Sequence, residues 1–176
     1  MSENDSIADA ALSLSPGSQA LLSQSSLQSP FAALPATAYD SLLVVSSRPP
    51  EEVARRLTAV GADLDAVGHV PISGSETTYT GPMRTTDPVV PDDLTGLSMQ
   101  LSRAFDALGP RNGWLLVENL NVFLMYASEP RVFRFVDHVA ERASGRGITG
   151  VYTLATDAVS AAVYERLLMS VDAELP

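Results

Sequence analysis

Short apolar runs alternate with amphipathic helical patterns from residue 19 onward, and this alternation restricts the fold more than any other feature. The runs QALLS (19–23), SLLVVSS (41–47), VGHVPIS (67–73), WLLVE (114–118) and ITGVYTLAT (148–156) are too short for helices. They are bounded by turn formers and are apolar on successive residues, the pattern of strands buried on both faces. RPPEEVARRLTAVG opens on tandem prolines and two glutamates, which suit a helix N-terminus, and puts Val53, Leu57 and Val60 on one face before Gly61 stops it. DDLTGLSMQLSRAFDALG places Leu94, Leu97, Leu101, Phe105 and Leu108 at spacings of three and four, with Gly109 as its stop. Asp92 and Asp93 read as the capped start of that helix rather than as a metal pair. EPRVFRFVDHVAERASGRG carries Val132, Phe133, Val136 and Ala140 on one side, DAVSAAVYERLLMS gives a last helix, and VDAEL adds an edge strand. The alternation predicts an α/β fold with a doubly wound, mostly parallel sheet flanked by helices, any activity lying at the carboxyl ends of the strands.

Two segments stand outside the pattern. Residues 1–15 read as a flexible tail, with a short helix at SIADAAL as an option, and 16–176 as a single domain large enough to bury a core. Residues 74–91 read as a long loop rich in Thr, Gly and Pro, a length that is usually functional or mobile.

Charge narrows the range of partners. The formal net charge is −10, and all eleven basic residues are arginine; the chain has no lysine. An acidic, lysine-free surface resembles proteins of salt-accumulating halophiles, where carboxylates hold water and salt screens their repulsion. An ordinary acidic protein from a GC-rich genome is the alternative. Either origin argues against a basic surface that tracks a phosphate backbone, so nucleic acid is not the expected partner. With no cysteine, disulfides and thiolate metal sites are excluded. His69 and His138 lie in different elements and are expected as lone imidazoles, because metal sites need convergent ligands. The N-terminal stretch is acidic and polar, unlike a secretory signal, and no apolar run approaches the ~20 residues that cross a bilayer. A cytoplasmic protein without membrane contact is the expectation.

The order of parts resembles the KaiC-like branch of the RecA-type ATPases over roughly residues 10–175. In that family a turn resembling PGS (16–18) precedes the phosphate-loop strand, and the next strand is followed by a Pro-Glu-Glu helix and a segment resembling GADLDAVGHVPIS. GWLLVENL resembles the family's Walker B strand, and GITGVYTLA the strand after the following helix. The resemblance implies a RecA/KaiC-like three-layer sandwich, and it implies a nucleotide site whose residues here depart from the pattern. Aligned directly after the first strand, G-x-x-x-x-G-K-[ST] falls on QSSLQSPF, where a loop and a helix start are expected. Gln24 and Ser29 stand for the two glycines, Pro30 for the lysine and Phe31 for the hydroxyl residue. Gln and Ser reach the glycine backbone conformations poorly, proline removes both a donor and the cation, and phenylalanine cannot ligate Mg²⁺. Arg48, on what reads as the adjacent strand end, offers a substitute charge that restores neither the glycine backbone nor the metal hydroxyl.

The acids follow suit. Glu118 stands where the resemblance puts the Walker B acid, one methylene longer than aspartate; a capping or salt-bridging role is the other reading. The catalytic acid pair after the second strand is replaced by SSRPP, with Arg48 in an acid's place, while Glu51 and Glu52 belong to the following helix. Hydrolysis would lack its cation, its metal hydroxyl and its general base. The serines of SLSPGSQALLSQSSLQS carry no G-x-S-x-G elbow. The grouping Phe133, Phe135 and Tyr126 reads as core and rim. The reading is therefore a non-catalytic, regulatory or signalling domain that needs no cofactor and binds another protein. The 74–91 loop and the outward side of NVFLMYASEP are the candidate contact surfaces. A weak nucleotide binder or ATPase with a rewired loop, completed by a neighbouring subunit's arginine, is the alternative.

Overall fold

A computed structural model describes residues 2–24, 29–108 and 112–176. Among them seven strands form one sheet: β1 (Gln19–Ser23), β2 (Leu42–Ser46), β3 (Val67–Pro71), β4 (Arg84–Thr85), β5 (Trp114–Val117), β6 (Thr149–Leu154) and β7 (Ala173–Leu175). The order is β4-β3-β2-β5-β6-β1-β7, and every pairing is parallel. Parallel strands need crossovers. α2 (Pro50–Ala59) joins β2 to β3, α3 (Leu94–Ala107) joins β4 to β5, α4 (Asn121–Tyr126) and α5 (Glu129–Gly145) join β5 to β6, and α6 (Ala161–Leu168) joins β6 to β7, while α1 (Glu3–Leu12) precedes β1. The chain is an α/β protein with a doubly wound parallel sheet between two helical layers.

Alternation along each strand sorts its side chains into two cores. Leu43, Val45, Leu115, Val117, Tyr152 and Leu154 pack with α3, α5 and α6. Leu42, Val44, Trp114, Leu116, Ala20 and Leu22 pack with α1 and α2. Both faces being covered, the central strands are apolar throughout, which is why they read as unbroken runs. α3 buries Leu94, Leu97, Leu101 and Phe105, and the Asp93 carboxylate caps it by accepting from the Gly96 N–H at 2.8 Å. α5 buries Val132, Phe135, Val136, Val139, Ala140 and Ala143. Phe133, expected on that face, falls at the edge of the stripe and is half-buried, with the Arg166 guanidinium 5.1 Å from its ring centroid.

Three segments differ from expectation. Glu3–Leu12 is a helix, not a loose tail: Ser2 and Asp5 form a reciprocal capping box, and Ile7 and Ala11 are buried in the α2-side core. Among the described residues between β1 and β2 no α-helix forms; Pro30–Ala33 and Ala36–Asp40 form two 3₁₀ turns. A helix running through both would carry Pro35 in its interior, where proline removes a hydrogen bond and clashes with the preceding turn. The 74–91 segment is not structureless: it supplies β4, bridges Ile72 to Val89, and buries Met83 and Val89 in the two cores. Gly109, read as the stop of α3, lies outside the described residues. VDAEL does add an edge strand, β7, along β1. Among the described residues no helix is long and apolar enough to cross a membrane.

Candidate functional site

The polypeptide leaves β2 toward the α2 face and leaves β5 toward the α4–α5 face, so a crevice opens between the carboxyl ends of these neighbouring strands. Register places Val45 opposite Val117, and the Glu118 N–H continues the ladder to the Val45 carbonyl at 2.9 Å. Ser46 and Glu118 therefore meet at the crevice, Ser46 fully buried and Glu118 7% exposed. The chain then turns through Asn119, a non-glycine residue with φ of 65°, whose N–H donates to Thr153 Oγ1 at 2.7 Å.

A buried carboxylate needs partners, and Glu118 has two. Ser46 Oγ donates to Glu118 Oε2 at 2.7 Å, and Arg48 Nε donates to Glu118 Oε1 at 2.5 Å. The Arg48 N–H donates to Ser46 Oγ at 3.1 Å, tying the loop after β2 to the same hydroxyl. Arg48 Nη1 reaches Glu52 Oε1 at 3.0 Å, and Arg56 Nη2 reaches the same oxygen at 2.8 Å. Two carboxylates and two guanidiniums close a chain that is neutral overall. Burial disfavours charge on Arg48, but hydrogen bonds and attraction from Glu118 and then Glu52 outweigh it and hold the guanidinium above its ordinary pKa. Hydrogen bonding from Arg56 is the main influence holding the Glu52 carboxyl below its usual range. Arg48, Glu52 and Arg56 are four residues apart, so this part was available as helical spacing. The participation of Ser46 had no sequence signal, because it depends on β5 lying beside β2.

The positions aligned with the phosphate loop sit elsewhere. β6 and β5 separate β1 from β2, so Arg48 is not on the strand end adjacent to β1 as expected, and its guanidinium is engaged by Glu118 and Glu52. Gln24 is buried and its N–H donates to the Leu154 carbonyl at 3.0 Å. Ser29 has extended backbone, Pro30 is buried at the start of the first 3₁₀ turn, and Phe31 is fully buried in the α2-side core, where the Tyr39 hydroxyl donates to its carbonyl. The middle of that loop, residues 25–28, lies outside the described residues. A four-residue 3₁₀ turn opening on proline offers no aligned stack of N–H groups and no macrodipole for a phosphate. Glu118, the remaining metal-facing candidate, is neutralised by Arg48. At the described aligned positions, Pro30 and Phe31 offer neither a cation for phosphate nor a hydroxyl for Mg²⁺.

The other flagged side chains do not gather. His69 is fully buried in β3, its Nε2 3.4 Å from the Ser46 carbonyl and its Nδ1 without a partner among the described residues. Burial pushes its pKa down to about 4, with the Ser46 carbonyl acting the other way. His138 is exposed on α5. Among the described residues no three His, Asp or Glu side chains converge as a metal would require. Phe135 packs on Phe123 with ring centroids 5.5 Å apart, whereas Met125 and Tyr126, at the end of α4, are 74% and 60% exposed.

No curated protein matched the chain in a sequence search. A family model matches residues 21–175, from within β1 to the end of β7, and so includes every helix except α1. The chain belongs to DUF7504, a family of unknown function.

Proposed function

We propose that the protein is a RecA/KaiC-like domain of the haloarchaeal type that does not hydrolyse ATP and acts in the cytoplasm through protein–protein contacts, in regulation or signalling. The observation that carries this reading is the Arg48–Glu118 pair at the β2–β5 crevice. An acid that positions Mg²⁺ must face the metal, and a cation that grips phosphate must face the phosphate. Here the two groups face each other, in the crevice where a doubly wound sheet would hold its ligand. The burial of Pro30 and Phe31 supports the same conclusion from the β1 side. Interaction surfaces outlast lost chemistry, and the exposed Met125 and Tyr126 on α4 are the partner-facing candidates.

A thermal-shift titration with Mg-ATP in molar KCl tests the reading. Ligand at one hundred times its dissociation constant adds about 2.7 kcal/mol to stability. No shift at millimolar ATP and no phosphate release are the expected results. A clear shift would overturn the reading in favour of a nucleotide site with a rewired loop.

A further inference from the structure

Eleven arginines face 21 acidic residues in this chain, yet two of them gather with a histidine on one helix face. Arg131, Arg134 and His138 recur at spacings of three and four along α5. They share a cleft of about 220 Å³ with Thr95 and Ser98 of α3. Asp137, the acid nearest these residues on α5, is engaged elsewhere. Asp137 turns toward α6, where Arg166 Nη2 donates to it at 2.7 Å and Ser170 Oγ at 2.5 Å. Asp93 is held as the cap of α3. Arg131 Nη2 donates to the Asp92 main-chain carbonyl at 2.9 Å, which braces the guanidinium across the cleft without cancelling its charge. Arg134 and His138 have no ion pair or hydrogen bond among the described residues.

We propose that this cleft between α3 and α5 binds a single phosphoryl group, as the dianion of a phosphate monoester or of inorganic phosphate. Two guanidinium forks match the spacing of phosphate oxygens and bind them in pairs, and the Thr95 and Ser98 hydroxyls and an imidazole N–H supply further donors. The small volume favours one phosphoryl group. An extended polyanion would meet the repulsion of a molecule with net charge −10, whereas a single group feels mainly the local field. The cleft shares none of its lining residues with the Ser46–Arg48–Glu118 cluster, and it does not depend on whether the β2–β5 crevice ever held a nucleotide.

Amide and side-chain NMR signals of the full chain, followed during titration with inorganic phosphate and with blocked phosphoserine, test the proposal. Both probes are expected to move the signals of Ser98, Arg131, Arg134 and His138. Arg134→Ala should weaken binding about tenfold or more, the magnitude of a lost charge-assisted hydrogen bond. Arg55→Ala, at an exposed arginine of α2 in the opposite helical layer, should leave binding unchanged. Both arginines are exposed, so neither variant should shift the thermal midpoint. Tighter binding of phosphoserine than of phosphate would assign the group to a phosphorylated side chain of a partner, and equal binding to a free phosphate. Signals that stay still at millimolar probe, or affinity that is the same in Arg134→Ala, would overturn it.

Discussion

Arg48 occupies a position where two chemistries exclude each other. Its guanidinium satisfies a carboxylate that is almost wholly buried, and the same contact keeps it from any ligand in the crevice. Arg48→Met should therefore strand Glu118 beside Ser46 alone and lower the unfolding free energy by about 3–5 kcal/mol, the scale for breaking a buried pair from one side. Adding Glu118→Gln should restore most of the loss, because a neutral amide needs no counter-charge. Urea midpoints of the two variants decide it, and a single-variant loss below ~1 kcal/mol, the range of surface pairs, would show the crevice to be wet and the pair dispensable. His69 gives the second prediction at this scale. Burial lowers its folded pKa to about 4 from an ordinary value near 6.5, so the folded state keeps the imidazole neutral while the unfolded chain takes up a proton. Its contribution is complete above pH 6.5 and is lost progressively as pH falls toward 4, amounting to a decline on the order of 3 kcal/mol. Unfolding free energies of His69→Gln, measured across that window, should lack this slope.

Elements were legible in proportion to how far local pattern alone determines them. The runs that became β1, β2, β3, β5 and β6 are buried on both faces, so composition marks them without any knowledge of their neighbours. α3 reads at once because four large apolar residues fill one face. α1 gives no such signal: its buried residues are one isoleucine and one alanine within a polar stretch, and it is held by what it packs on. β4 is two residues long and exists only as a partner to β3. The segment after β1 reads as a loop and a helix start, yet Pro30 and Pro35 break it into two 3₁₀ turns.

At the scale of the whole molecule, strand order is what the sequence conceals. Glu118 and Arg48 could each be singled out from spacing, but their pairing requires β5 to insert between β2 and β6, a fact about the sheet and not about either segment. The global charge, by contrast, is read directly. Only five ion pairs are found among the described residues, against a net charge of −10, so most carboxylates face solvent and one another without a cation at hand. Self-repulsion of that kind weakens as added salt shortens the screening length. The thermal midpoint should rise steadily from dilute buffer to molar KCl, and a scanning calorimetry series that stays flat or falls would exclude an adaptation to concentrated electrolyte.

Phe31 gives the fold a one-way character. The ring sits with no exposed surface among Ile7, Val53 and their neighbours in the α2-side core, at the position where a phosphate loop would carry its hydroxyl. Exchanging so large a buried side chain for a threonine would forfeit about 3–5 kcal/mol, a large share of the ~5–15 kcal/mol that holds a typical domain together. A change at this position therefore empties the core before any second substitution could furnish a grip on phosphate.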